Sequence, residues 1–305
     1  MMLKHMLDNV RHRNPLVHNI TNYVTVNDCA NIILACGGSP IMADDCMEVE
    51  EIVAICNSLV INIGTLNERT IQSMLVAGRK ANQLSRPIVF DPVGIGASGL
   101  RTYAAKRLLT ELDFSVIRGN ISEIKRIYQV MQDIRKREEA TIRTSDCGAA
   151  VGTEGNQISE SRGVDASVSD RIVEDTLDST VTFAMELAQL TKAVIVITGA
   201  IDIIADTETA YIVRNGHPMM SRITGSGCML TSVLGAFSAA NTMELTGACA
   251  AAVCAMGICG ELAYERVSKD REGTGSFRAY LMDYMSLLDG TMLEQRAKLQ
   301  EFKIR

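Results

Sequence analysis

The 305-residue chain contains no tryptophan, and its seven tyrosines and six phenylalanines amount to 4% aromatic residues. So sparse a supply speaks against a surface that stacks nucleic-acid bases or cages a quaternary cation. No CxxC pair occurs either: nine cysteines stand at 29, 36, 46, 56, 147, 228, 249, 254 and 259. An odd number without metal-ligand spacing disfavours a disulfide framework or a zinc site, and free, mostly buried thiols suit a reducing cytoplasm. Basic blocks are also missing. Thirty Lys and Arg against 36 Asp and Glu leave a net charge of -6, so nothing neutralises a phosphate backbone and nucleic acid is not an expected partner. Near the start, Lys4, His5, Asp8, Arg11, His12 and Arg13 interrupt the apolar residues, and no secretory signal is expected.

One run approaches the length of a membrane span, Leu245 to Tyr264. It consists mainly of Ala, Gly and Cys, which gain little from transfer into lipid, and Thr246 and Glu261 interrupt it. A tightly packed buried helix is the better reading, with no membrane partner. What is present, 47% apolar and 22% charged residues, describes a soluble globular chain. Without internal repeats or a Pro-rich linker, residues 1–305 read as one domain.

Short apolar runs alternate with helix-period segments over the first 125 residues, the pattern of repeated βα units. Expected strands are Leu16 to Ile20, Ser39 to Met42, Leu59 to Ile63, Pro87 to Phe90 and Ser115 to Ile117. Between them, Val26, Ala30, Ile33 and Leu34 share one helical face, and Ile71, Leu75 and Ala81 do so more loosely. Such crossovers imply a largely parallel sheet covered by helices. From Ala193 the rhythm changes: Val194 to Ile197, Asp202 to Ala205 and Tyr211 to Val213 are separated by too few residues for helices. That favours an open sheet with an antiparallel edge over a (β/α)₈ barrel. Helices are expected onward from about Gly227 to the C-terminus, including Ser276 to Leu288. Residues 129–162 stand apart, polar and weakly periodic, with RKREE at 135–139; they read as a surface excursion of exposed helix plus loop.

Three clusters carry chemistry. Gly225-Ser226-Gly227-Cys228 is a glycine-rich turn opening a helix. Glycines let the backbone approach a phosphate, and the unpaired N–H groups of a helix start stabilise negative charge, although short GxG turns also arise from capping and packing alone. Val89-Phe90-Asp91-Pro92-Val93-Gly94 puts a carboxylate at the end of an apolar strand, where open α/β sheets bind ligands. Arg118-Gly119-Asn120, with Glu123 three residues on, follows another strand in the same way. Asp91, Asn120 and Glu123 are hard oxygen donors suited to Mg²⁺, and Arg118 is a planar donor for phosphate. Each also has an ordinary structural use: an Asx turn for Asp91, an N-cap for Asn120, a first-turn dipole partner for Glu123.

Taken together the motifs resemble the hydroxyethylthiazole kinases of the ribokinase-like superfold. The resemblance runs through LVHNITNYVTVN (16–27), SPIMA (39–43), LVINIGTL (59–66), PIVFDPVGIGAS (87–98), RGNISEI (118–124), VIVITGAIDIIAD (194–206), NGHPMM (215–220) and ITGSGCMLTSVLGAF (223–237). It implies a mostly parallel central sheet with antiparallel edge strands and helices on both faces. It further implies ATP-dependent, Mg²⁺-assisted phosphorylation of the alcohol of 4-methyl-5-(2-hydroxyethyl)thiazole by a homotrimer. Carried over by motif, Asn22, Met42 and Gly225 are assigned to the thiazole alcohol, Arg118, Thr198, Asn120 and Gly227 to ATP, and Asp91 and Glu123 to Mg²⁺. Met is a common core filler and Asn a common helix cap, so Met42 and Asn22 also have purely structural readings.

Ribokinase-like enzymes usually end the glycine turn with an aspartate base. Here the position is Cys228, as in the thiazole kinases, and the helix N-terminus is expected to lower its pKa so that the thiol accepts the substrate proton. The excursion at 129–162 is about thirty residues longer than the family pattern leads one to expect, at a place where exposed loops tolerate insertion. Alternatives on the same fold are a kinase of another small alcohol such as hydroxymethylpyrimidine, or a nucleotide-binding regulatory relative without turnover. A dinucleotide oxidoreductase is disfavoured, because no GxGxxG follows the first strand.

Overall fold

The computed structural model describes residues 2–145, 172 and 174–302. Its helices are α1 (Met2–Arg13), α2 (Val26–Cys36), α3 (Val49–Ile55), α4 (Glu68–Gln83), α5 (Gly99–Glu111), α6 (Ile121–Ser145), α7 (Leu177–Thr191), α8 (Ser226–Ala240), α9 (Leu245–Asp270), α10 (Thr274–Leu287) and α11 (Gly290–Arg296). Its strands are β1 (Leu16–Ile20), β2 (Ser39–Ile41), β3 (Ser58–Asn62), β4 (Ile88–Asp91), β5 (Val116–Asn120), β6 (Val194–Thr198), β7 (Asp202–Ala205), β8 (Ala210–Val213) and β9 (Leu299–Phe302). They form one sheet in the order β2-β1-β3-β4-β5-β6-β7-β8-β9. The pairs from β2 to β6 are parallel, and the three from β6 to β9 are antiparallel.

Continuous apolar strands arise because both faces of this sheet are covered. Successive residues point to opposite faces, so Val60, Val89, Val116 and Val196 join a core with α1, α2, α8, α9 and α10. Leu59, Ile61, Phe90, Ile117 and Ile195 face a second core, built with α3 to α7. On the first face α8 lies against β1, β3 and β4 and is in turn covered by α9. Its Phe237 is fully buried, and truncation to Ala there is expected to cost about 3–5 kcal/mol. Helix α9 has the length and apolarity of a membrane span, yet most of it is buried against the rest of the fold. Its small residues allow this, since a Cβ on Gly257 would lie 2.7 Å from Asn215 Cβ.

Several expectations need correction. The buried face of α2 is Cys29, Ile32, Ile33 and Cys36, whereas Leu34 is exposed. Helices do not continue to the end of the described chain. Residues 299–302 form β9, which caps the antiparallel edge by pairing with β8; only four residues long and with two of them exposed, it gave no apolar run to read. The excursion at 129–162 begins as a direct continuation of α6 as far as Ser145, and residues 146–162 lie outside the described residues.

Candidate active site

Parallel register brings the C-terminal ends of the central strands into line. Asn62 of β3 stands opposite Asp91 of β4, and Asn120 of β5 stands opposite Thr198 of β6. Arg118, Gly119 and Asn120 are thus the last three residues of β5 rather than a segment after it. Asp91 is fully buried. Its Oδ2 accepts hydrogen bonds from Asn62 Nδ2 and Thr231 Oγ1, each at 2.8 Å. Its Oδ1 has no hydrogen-bond partner and lies 3.6 Å from Arg118 Nη1. Burial pushes the Asp91 carboxyl up, against the opposing pull of Arg118.

The guanidinium of Arg118 bridges strands, with Nη2 donating to Thr198 Oγ1 at 2.6 Å. It passes directly beneath the glycine turn, where a Cβ on Gly227 would come within 2.6 Å of Nη1. Only glycine leaves that space. Arg118 Nε is buried without a partner, so two unspent polar groups, this nitrogen and Asp91 Oδ1, belong to the facing pair.

Glu123 has the structural use foreseen for it in the first turn of α6. Asn120 Oδ1 accepts from Glu123 N at 2.9 Å while Glu123 Oε2 accepts from Asn120 N at 2.8 Å, a reciprocal cap on α6. Glu123 Oε1 reaches on to the Gly94 N–H at 2.9 Å, which ties α6 to the loop after β4. Burial, together with the nearby Asp91 charge, pushes the Glu123 carboxyl up to about 7.

Gly225 caps the start of α8 in the left-handed region at φ 85°, and a Cβ there would meet Thr25 Cγ2 at 2.4 Å. Ser226, Gly227 and Cys228 follow as the first turn, whose N–H groups have no carbonyl four residues back within the helix. Cys228 Sγ accepts from Asn22 Nδ2 and Asn62 Nδ2, each at 3.3 Å. The thiol is pushed up to about 11, chiefly by burial and then by Asp91 and Cys29. This reverses the expected lowering: desolvation and a neighbouring carboxylate outweigh the field of the helix start.

Mg²⁺ is ordinarily held by one or two carboxylates, with waters and substrate phosphates completing its shell. Among the described residues no cluster of three or more His, Cys, Asp or Glu could cage a metal by itself. The pair Asp91 and Glu123, with Asp91 Oδ1 buried and unpartnered, fits a cation that arrives with its phosphate ligands.

A family model described as the hydroxyethylthiazole kinase family matches residues 7–141 and 129–290. The chain belongs to this family. A protein of Clostridium acetobutylicum described as hydroxyethylthiazole kinase is 54% identical over 301 residues, covering 99% of this chain and 100% of the relative. Among solved structures, that of a hydroxyethylthiazole kinase from Pyrococcus horikoshii OT3 superposes with a TM-score of 0.78 at 32% identity, covering 99% of each chain. A ribokinase-like superfamily protein from Enterococcus faecalis V583, 12% identical, shares the fold with a TM-score of 0.54 over 93% of this chain and 89% of the other. The two stretches matched to the hydroxyethylthiazole kinase family meet at residues 129–141, where the polar excursion begins.

Of the residues assigned from the family motifs, Asn22, Asp91, Arg118, Asn120, Glu123, Thr198, Gly225, Gly227 and Cys228 converge at this strand edge. Asn22 is buried with its amide already engaged: Oδ1 accepts from Thr25 N at 3.1 Å, and Nδ2 donates to Asn62 Oδ1 at 3.1 Å. It holds Cys228 Sγ and Asn62 in place rather than offering a free group. Met42 lies half-buried just past β2 at the same edge, with the next carbonyl, of Ala43, accepting from His18 Nε2 at 2.9 Å. Asn62 and Thr231 are central to the network and were missed. Asn62 had a legible signal, because NIG after an apolar strand repeats the placement of DPVG and RGN. Thr231 had a subtler one, lying one turn after Cys228 on the face of α8 turned to the strand ends. Asp202, half-buried at the start of β7, accepts a hydrogen bond from Gly199 N at 2.9 Å.

Proposed function

We propose that this chain transfers the γ-phosphoryl group of ATP to the primary alcohol of 4-methyl-5-(2-hydroxyethyl)thiazole. The observation that carries the reading is the convergence of Asp91, Arg118 and Cys228 beneath the glycine turn that opens α8. In the transfer the substrate oxygen forms a bond to phosphorus, the bond to the ADP oxygen breaks, and the hydroxyl proton leaves. Arg118, fixed by Thr198, binds phosphate oxygens through its planar donors. The free N–H groups of the first turn of α8 stabilise charge developing on the transferred group. The thiolate form of Cys228, a minor fraction at neutral pH, receives the hydroxyl proton at the same turn as the oxygen–phosphorus bond forms, and a small ionised fraction suffices in a reaction governed by positioning and charge. Asp91 and Glu123 would hold Mg²⁺, which would supply charge neutralisation on the phosphates. Gly225, where a Cβ would run into Thr25, brings the turn close to the alcohol, with Met42 and Asn22 bounding its pocket.

The reading extends to a single domain over 1–305 with a polar insertion at about 129–162, acting in the cytoplasm as a homotrimer. Light scattering of the purified protein reads the assembly, and a fully active monomer would refute the trimer. The decisive assay follows ADP release and the phosphomonoester product with the thiazole alcohol, hydroxymethylpyrimidine and other small alcohols. Release that depends on the thiazole alcohol is expected, and its absence with every alcohol would overturn the proposal.

A further inference from the structure

The geometry points to Asn62 as a positioning residue that locks the Asp91 carboxylate and the Cys228 sulfur into one fixed arrangement. This rests on the kinase reading above and deepens it.

The orientation of the Asn62 amide follows from chemistry. The backbone N–H of Gly64 donates to Asn62 Oδ1 at 2.8 Å. A backbone nitrogen cannot accept, so the atom facing it is the oxygen, and Nδ2 faces the other way. The same logic fixes Asn22, whose Oδ1 faces the N–H of Thr25. Asn62 Nδ2 then has two hydrogens and two acceptors: Asp91 Oδ2 at 2.8 Å and Cys228 Sγ at 3.3 Å. Asn62 Oδ1 also accepts from Asn22 Nδ2. Every donor and acceptor site of this buried side chain is engaged, and three separate segments, β4, α8 and the loop after β1, meet on it.

Two consequences follow. Asp91 Oδ2 is committed to the donors of Asn62 and Thr231, which leaves Oδ1 as the uncommitted oxygen, turned toward Arg118. Cys228 Sγ accepts two N–H groups whose own directions are set by backbone N–H groups, so its remaining valence has a defined direction. Glycine at 64 is part of the device, because a Cβ there would lie 2.9 Å from both Asn62 Oδ1 and Asn22 Nδ2. A residue that fixes two reacting groups without touching substrate should act on the chemical step and leave ground-state binding largely alone.

Asn62→Asp is the test, since it keeps the shape and removes both N–H donors. The expected result on the full chain is a fall in kcat of about 10- to 100-fold, with KM for ATP and for the thiazole alcohol changed by less than about threefold. In a Cys228→Ala background the same substitution should have a distinctly smaller effect, because one of its two targets is gone. A purely structural Asn62 would lower the amount of folded protein without this split or this coupling. An independent readout needs no turnover: alkylation of Cys228 by iodoacetamide at pH 8, followed by peptide mass, should be at least about threefold slower in Asn62→Asp, where a carboxylate replaces an N–H at the sulfur. If Asn62→Asp does not fold, Asn62→Ala carries the same expectation for kcat and KM. Unchanged kcat together with an unchanged alkylation rate would overturn the inference. Should the unaltered chain release no ADP with any alcohol, the kinase reading falls, and the alkylation comparison still decides the role of Asn62.

Discussion

Replacing Cys228 by alanine separates the two ways in which the first turn of α8 can promote transfer. Sγ accepts two amide N–H groups, and its loss leaves them short of an acceptor, which costs on the order of 1–3 kcal/mol. A domain of ordinary stability remains folded. For the rate, a thiol pushed up to about 11 is ionised to only on the order of 10⁻³ to 10⁻⁴ at pH 7.5. A positioned base contributes about 10²–10⁴, and one so sparsely ionised contributes at the low end or below, while the helix start and Arg118 act regardless of the side chain. Cys228→Ala should therefore turn over roughly tenfold more slowly at pH 7.5. The unaltered enzyme should gain about tenfold per pH unit up to pH 9 if the chemical step limits, and the variant should stay nearly flat. Steady-state turnover against pH from 7 to 9, with both substrates saturating, reads this directly. Superimposable profiles with equal rates would remove Cys228 from the proton path.

Three further outcomes are expected. Gly225→Ala forces a left-handed φ of 85° on a residue with a Cβ and drives that Cβ into Thr25, so denaturant titration should show a loss of about 2–4 kcal/mol, and a loss under about 0.5 kcal/mol would refute the clash. With the Glu123 carboxyl raised to about 7 by burial and by Asp91, protons compete with the metal below that pH, so the Mg²⁺ concentration giving half-maximal rate should rise about tenfold between pH 8 and pH 6; a requirement independent of pH would detach Glu123 from the metal. The buried thiols of Cys36, Cys249 and Cys259 are all pushed up from 9.0 by burial, so above pH 9 the unfolded chain releases protons that the folded chain retains, and stability falls as pH rises. These three alone should remove about 4 kcal/mol by pH 10, seen as a midpoint shift in urea titrations at pH 8 and pH 10, and equal midpoints would contradict the burial.

Much of the architecture was legible because both faces of the sheet are covered, which turns β1, β3, β4, β5 and β6 into apolar runs that stand out from their flanks. The antiparallel turn after β6 announced itself through gaps too short for helices. β9 did not, since an edge strand with exposed residues carries no periodic signal, and its place is set by pairing with β8. At the site, Asp91 and Arg118 were recognisable as charged residues at the ends of apolar strands, and Glu123 by its spacing three residues after Asn120. Asn62 was passed over because a neutral amide in a buried run reads as a tolerated polar residue, although its place at a strand end matches that of Asp91; its four partners show what it does there. The direction of the Cys228 shift was misjudged for a related reason. Sequence exposes the helix start, but the burial of the thiol and the approach of Asp91 are products of tertiary packing.

The pairing of β5 with β6 has a consequence for what the chain tolerates. Asn120 stands opposite Thr198 in the sheet, although more than seventy residues separate them. Because the Arg118 to Thr198 contact is set by strand register and by the cap that Asn120 and Glu123 place on α6, the length of the intervening chain is decoupled from it. A loop twice as long raises the closure entropy by only about 0.6 kcal/mol. A lineage, or a protein engineer, therefore has room to add chain between α6 and α7 while the Arg118 guanidinium keeps its place against Thr198.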